Sequence, residues 1–227
     1  MNIRTTASGV ILGILFFCAF VHLEIGTAGA EEEIIGETIQ REYNFAEPVA
    51  ADIKVFENPF QRIKIPGLTN YWKEGEPLLP VEVARILLPY GREAGEVTVI
   101  PGEKFMLEGN YGIEPGQRPV PFDQEFQAEY VPPKLEIYDS LKPFPEGRML
   151  QVQTVITRGY RILIVSLSPI SYIPKTGKIE YCRELTLAVE VVPESKPPRT
   201  FRGLAGDAEL VRKNIDNPEV LSTYPLR

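Results

Sequence analysis

GYRILIVSLSPISYIPKTGKIEYCRELTLAVEVV, residues 159–192, is the stretch on which the fold of this chain turns. It opens with an apolar run, Tyr160, Ile162, Leu163, Ile164, Val165 and Leu167. A corner follows at 169–174, then a turn at Lys175-Thr176-Gly177-Lys178. Beyond the turn, Leu185, Leu187, Val189 and Val191 alternate with Glu184, Thr186, Ala188 and Glu190. Successive side chains of a strand point to opposite faces, so period-two alternation rich in β-branched residues marks a half-buried strand. Pro174 presets one turn dihedral and Gly177 tolerates a positive one, so the spacing predicts that the two runs fold back as a hairpin. Apart from Cys182, the stretch reads as scaffold.

Outward from this stretch the chain keeps the same character. Ile39, Arg41, Tyr43 and Phe45 alternate before Pro48 and predict a first strand. Residues 52–56 and 60–65 make a second pair around Glu57-Asn58-Pro59, and 81–88 is a longer apolar strand. Shorter strands are expected at 96–100, 104–107, 135–138 and 149–156. Residues 109–121 hold three glycines and three prolines and read as an ordered loop. A short helical turn is expected at 123–129. After a charged, proline-rich linker at 193–198, Asp207 is placed to cap a short helix with Leu210, Val211 and Ile215 on one face, ended by Asn217-Pro218. The chain has 21 prolines, and their spread suits many turns and strand ends better than long helices. The expectation is an all-β sandwich with a short helical tail.

Residues 1–30 read as a secretory signal peptide: Arg4, an apolar run at 10–21, and small residues at Ala28-Gly29-Ala30. The run is short for a membrane span. With it would leave His22, the only histidine, and Cys18, one of two cysteines. What remains has Cys182 alone, so a Ser-His-Asp or Cys-His arrangement and a Cys/His zinc site are excluded within this chain. Cys182 itself reads as a small buried hydrophobe. Net charge is −7 with no basic block, which argues against nucleic acid and anionic membrane surfaces. No loop has the Asp/Asn/Gly spacing of a calcium site, and neither metal nor cofactor is expected.

Several stretches together resemble the N-terminal pro-domain of gingipain-type cysteine proteases. They are Gly75-Glu76-Pro77-Leu78-Leu79-Pro80 leading into an apolar strand, the run at 160–167, and the Tyr172-Ile173-Pro174-Lys175-Thr176 turn with the strand to 192. The resemblance covers roughly residues 34–225 and rests on the order and spacing of these pieces. It implies a jelly-roll-like antiparallel β-sandwich at 31–192, with a linker and tail at 193–227 leading toward a protease domain. It implies a secreted, non-catalytic pro-domain that assists folding and keeps the protease latent. The partner would be the cysteine protease catalytic domain, in cis or, after cleavage, in trans.

In that family a loop enters the active-site cleft and a basic residue fills the specificity pocket. By order, the loop falls in residues 111–121, which makes Arg118 the candidate pocket-filling residue with Gln117 and Pro119 beside it. A guanidinium offers five donors in a fixed fork, suited to an acidic pocket floor. Flanking prolines would stiffen the loop and lower the entropy lost on docking. An Arg118-Pro119 bond should also resist cleavage, because proline lacks the amide hydrogen. Against this stands the ordinary reading of an arginine on a polar loop, which is simple solvation. The chain ends at Arg227, which leaves a fragment, a maturation product and a stand-alone secreted protein as open alternatives. A second class of function is a secreted binding module for carbohydrate or protein, with Trp72 as its stacking residue. Most aromatics, however, fall on strand-periodic positions and read as core. An independent enzyme would need paired carboxylates, and no spacing among the acidic residues stands out.

Overall fold

The computed structural model describes residues 37–119, 129–195, 201–225 and 227. The expected leader at 1–30, the acidic start at 31–36, Pro121, most of the helical turn expected at 123–129 and part of the 193–198 linker lie outside the described residues. In chain order the elements are β1 (Glu37–Asn44), β2 (Val49–Val55), β3 (Asn58–Lys64), β4 (Thr69–Tyr71), β5 (Leu79–Leu87), β6 (Arg92–Pro101) and β7 (Lys104–Met106). Then come a single helical turn α1 (Leu135–Tyr138), β8 (Met149–Thr157), β9 (Tyr160–Leu167), β10 (Ile170–Ile173), β11 (Lys178–Cys182), β12 (Glu184–Pro193) and the helix α2 (Ala205–Arg212).

The strands form an antiparallel β-sandwich. One layer has the order β1-β12-β6 and the other β4-β5-β9-β8, with a smaller sheet β10-β11-β7 and the hairpin β2-β3 at their flank. Leu163, Val165 and Leu167 of β9, with Ala84 and Ile86 of β5, meet Leu185, Leu187, Val189 and Val191 of β12 in one buried cluster. Burying a leucine side chain of this kind stabilises by about 1.5–3 kcal/mol. A second cluster, with Ile63, Leu79, Ile113, Tyr172 and Ile179, lies under the smaller sheet.

The expected hairpin is confined to its turn. β9 and β12 pair with different neighbours, β9 between β5 and β8 and β12 between β1 and β6. Their apolar faces meet across the core instead. The switch occurs at Ser168-Pro169: proline cannot donate to a ladder, and the buried Ser168 hydroxyl bonds to the Ile170 carbonyl at 2.9 Å. Only β10 and β11 form a hairpin, closed by a turn in which Gly177 has φ +69°. Residues 135–138 are also corrected, from strand to helical turn. Tyr138 N–H donates to the Lys134 carbonyl at 2.9 Å, and four residues are too few for alternation to decide between the two.

The tail folds back on the outer face of β5 and β9. Ala208, Val211, Ile215, Leu221 and Tyr224 are buried there with Leu87, Tyr160 and Ile162. Asp207 is not the cap: α2 starts after Leu204, and Asp207 sits in its first turn. Its carboxylate accepts from Arg158 at 2.9 Å and from Arg202 at 2.7 Å. Leu210 points outward, 48% exposed. The tail also covers the part of the β5 edge that β4 leaves free. Asp216 accepts from Arg85 N–H at 2.8 Å and donates its own N–H to the Arg85 carbonyl at 2.9 Å. The fully buried Asn217 side chain accepts from Leu87 N–H at 2.7 Å and donates to the Leu87 carbonyl at 2.9 Å. An amide side chain thus stands in for a neighbouring strand.

Asn217→Ala leaves one buried N–H and one buried carbonyl without partners, and is expected to cost about 2–4 kcal/mol in urea unfolding. An unchanged midpoint would show that the tail lies outside the cooperative unit. Asp207 gives a pH prediction. Burial opposes its ionisation, but the hydrogen bonds from Arg202 and Arg158 outweigh it and hold its carboxyl below the usual aspartate range. A depressed acid stabilises the fold above its unfolded value and loses that contribution as pH falls through the folded one. Asp207→Asn should therefore be less stable than the parent at neutral pH, with the gap closing below about pH 4. A gap constant from pH 7 to pH 3 would refute the coupling.

Candidate inhibitory site

The loop carrying Gln117, Arg118 and Pro119 begins on the smaller sheet. Tyr111 N–H donates to the Gly177 carbonyl at 2.8 Å, and Tyr172 Oη donates to the Tyr111 carbonyl at 2.8 Å. A Cβ on Gly177 would come within 2.7 Å of Tyr111 N. Glycine is thus required there both for its positive φ and for this close approach.

From Gly112 to Gly116 the chain is a strap held on both sides. On one side Gln61 N–H donates to the Gly112 carbonyl at 2.7 Å and Glu114 N–H to the Gln61 carbonyl at 3.1 Å. On the other side Leu78 N–H reaches the Glu114 carbonyl at 3.0 Å, Gly116 N–H the Glu76 carbonyl at 2.9 Å, and Gly75 N–H the Gly116 carbonyl at 2.9 Å. A Cβ on Gly116 would fall on the Lys73 carbonyl, so the strap can lie this close only with glycine. Ile113 fills the second core, and Tyr138 Oη donates to its carbonyl at 2.8 Å.

Two acidic side chains are buried along the strap, each with a cationic partner. Both oxygens of Glu114 accept from the Arg62 fork, Nη2 at 2.7 Å. The Arg62 guanidinium is held above its ordinary range, chiefly by that hydrogen bond. Glu76 meets the ammonium groups of Lys73 at 2.7 Å and Lys134 at 3.0 Å. Burial resists its ionisation, yet the two lysine hydrogen bonds prevail and keep its carboxyl below the usual range. Removing one member of such a pair would strand a buried charge.

Gln117 ends the strap and anchors the next segment. Its Nε2 donates to the Val131 carbonyl at 2.8 Å and to the Pro115 carbonyl at 3.1 Å, while Oε1 accepts from Val131 N–H at 2.9 Å. The amide therefore bonds to Val131 as a neighbouring strand would and draws residues 117 and 131 together. The Trp72 indole N–H donates to the Gln117 carbonyl.

Exposure then rises sharply. Residues 113–116 are buried, Gln117 is half-buried, and Arg118 and Pro119 are exposed. Arg118 lies over Glu74 in a two-point contact, Nε to Oε2 at 3.0 Å and Nη2 to Oε1 at 2.8 Å. The contact lowers the Glu74 carboxyl and raises the Arg118 guanidinium, in each case chiefly through their hydrogen bond. Both partners are largely in solvent, where such pairs are weak and easily exchanged. The arrangement presents a guanidinium, already engaged with a carboxylate, on a neck fixed from below. Cys182 is fully buried, and burial pushes its thiol up, away from nucleophilic use.

Sequence reasoning picked out Gln117, Arg118 and Pro119 but missed their partners Glu74 and Val131 and the Gln61 contact to the strap, and gave Trp72 a stacking role where it supports the loop. The one available signal was the run Trp72-Lys73-Glu74-Gly75-Glu76-Pro77, part of which carries the resemblance, but nothing in it names its partners. Among the described residues, no cluster of three His, Cys, Asp or Glu is close enough to hold a metal ion. No described helix is long and apolar enough to cross a membrane.

No curated protein matches the chain significantly. Two solved structures from Porphyromonas gingivalis share its fold. One, the complex of RgpB pro- and mature domains, is 16% identical with a TM-score of 0.59, the match covering 80% of this chain and 93% of that one. The other, described as giving insight into the zymogenic latency of gingipain K, is 17% identical with a TM-score of 0.56, covering 69% and 87%. Residues 36–207 match the family model Propeptide_C25. The strap, the sandwich that holds it and most of the tail-docking face lie inside that match, and the chain belongs to the Propeptide_C25 family.

Proposed function

We propose that this chain is the non-catalytic pro-domain of a secreted, gingipain-like cysteine endopeptidase, which it helps to fold and holds latent. The family match carries this reading. The likeness to a pro-domain solved together with its mature domain supports a protease catalytic domain as the partner. The segment Gln117-Arg118-Pro119 is the part that enters the active-site cleft. A substrate-like arginine is presented from a neck whose backbone is already pinned, so little order is lost on docking. Arg118 exchanges the exposed Glu74 carboxylate for an acidic pocket floor, trading one two-point contact for another of the same kind. Pro119 keeps the following bond from being cut. The apolar run at 10–21 is the export signal that places the precursor outside the cytoplasm.

The alternative, a secreted binding module with a stacking face, would rest on Trp72. That residue is 47% exposed, but its indole N–H is committed to the Gln117 carbonyl, which makes it a support of the loop.

The test is inhibition of gingipain-type proteases by the purified chain. The parent should slow a protease with a preference for basic residues, and Arg118→Ala should raise the inhibition constant by about tenfold to a hundredfold, as for a central arginine anchor. Equal inhibition by parent and variant would remove Arg118 from the site. No inhibition of any such protease by the parent would remove the proposal.

A further inference from the structure

Among the described residues the sandwich leaves several strand edges, and all the long ones but one are guarded. β1 carries Glu37, Arg41 and Glu42, and β6 carries Arg92, Glu93 and Glu96 and ends in Pro101. β2 and β3 hold Asp52, Lys54, Arg62 and Lys64. β4 and β7 are only three residues each, and β10 is bridged by Phe144. Charges, prolines and short length are the usual means of keeping a sheet edge from pairing with another chain.

β8 has none of them. Its nine residues, MLQVQTVIT, contain no charge and no proline. It is the outer strand of its sheet, and among the described residues only β9 pairs with it. Its side chains add a second observation. Val152 is paired with Val165 and Thr154 with Leu163, residues that face the core. Val152 and Ile156 nevertheless remain 45% and 50% exposed. The strand thus combines a row of backbone donors and acceptors that no described strand pairs with and two exposed apolar side chains on one face, four residues apart.

That spacing fits one partner well, another copy of the same strand. We propose that two copies of this chain associate edge to edge through β8, antiparallel about a two-fold axis at Thr154. Strand partners in such a pair share a face, so Thr154 meets Thr154 of the second copy, and each Val152 meets the other copy's Ile156. Both exposed apolar residues are then covered twice over by one symmetric contact, and Thr–Thr and β-branched pairs are favourable cross-strand neighbours. No like charges oppose one another along the strand. The two four-stranded layers become one continuous sheet. The isologous contact closes on itself and does not propagate. Since the strand alone makes a contact smaller than the ~1,600 Å² of a standard interface, the dimer is weak and concentration-dependent. This surface does not include the Gln117-Arg118-Pro119 segment, and the inference stands whether or not that segment inhibits a protease.

The test is sedimentation velocity of the purified chain over a concentration series, with three variants. The parent should shift from monomer to dimer as concentration rises. Val152→Lys puts a charge on each half of the contact and should weaken the dimer by about tenfold or more, while the monomer melts as the parent does. Thr154→Cys should form a disulfide-linked dimer under mild oxidation. Thr98→Cys, exposed on the β6 edge, should not, and the native Cys182 is buried. A parent that stays monomeric at every concentration, including one that takes up a strand of a different protein instead, overturns the proposal. So does a dimer in which Thr154→Cys cross-links no better than Thr98→Cys.

Discussion

Burial of one strand pair on both of its faces is the constraint on which this structure depends. β5 and β9 pair antiparallel from Glu82 to Leu87. Most of their buried apolar residues belong to one of two layers. Ala84, Ile86, Leu163, Val165 and Leu167 face the opposing sheet, and Leu87 and Ile162 face the tail. A strand pair with two apolar faces is stable only when both are covered, and each cover here is a different part of the chain. The inner one is β12 with its neighbours. The outer one is α2 and the residues after it, which therefore belong to the fold as much as any strand does.

The same pair explains where polar groups are buried. Because β4 is short, the second half of β5 would expose unpaired backbone toward a space already closed by the tail. Asp216 and Asn217 take those groups with their backbone and side chains, as an unsatisfied buried carbonyl or amide would be costly. Tyr224 Oη, bonded to the Leu88 carbonyl at 2.7 Å, continues the series.

The loop segment rests on the other end of this scaffold. Its strap borrows ladder partners from β3 and from the segment entering β5, and it buries Glu114 and Glu76 only where Arg62, Lys73 and Lys134 can meet them. Rigidity below and exposure above follow from one another. The hydrogen bonds that fix residues 112–117 are spent in the interior, and the first side chain beyond them, Arg118, meets the solvent-facing Glu74.

Local pattern was enough to identify the strands at 37–44, 79–87, 149–157, 160–167 and 184–193, the turn at Gly177, the buried role of Cys182 and the loop that carries Arg118. These are properties of side-chain period, glycine and proline stereochemistry and residue type, all contained in a window of a few residues. The partners were not legible. That β9 and β12 face each other across a core rather than pair, that Asn217 serves Leu87, that Gln117 clips Val131, and that Asp207 binds two arginines instead of capping a helix are facts about residues 14 to 130 positions apart, or about which of two local options an arginine selects. Short apolar segments such as 135–138 carry no period long enough to choose for themselves. Sequence by itself determined which faces must be buried. Only the tertiary structure decided what buries them, because the free energy of covering an apolar face does not depend on where in the chain the cover comes from.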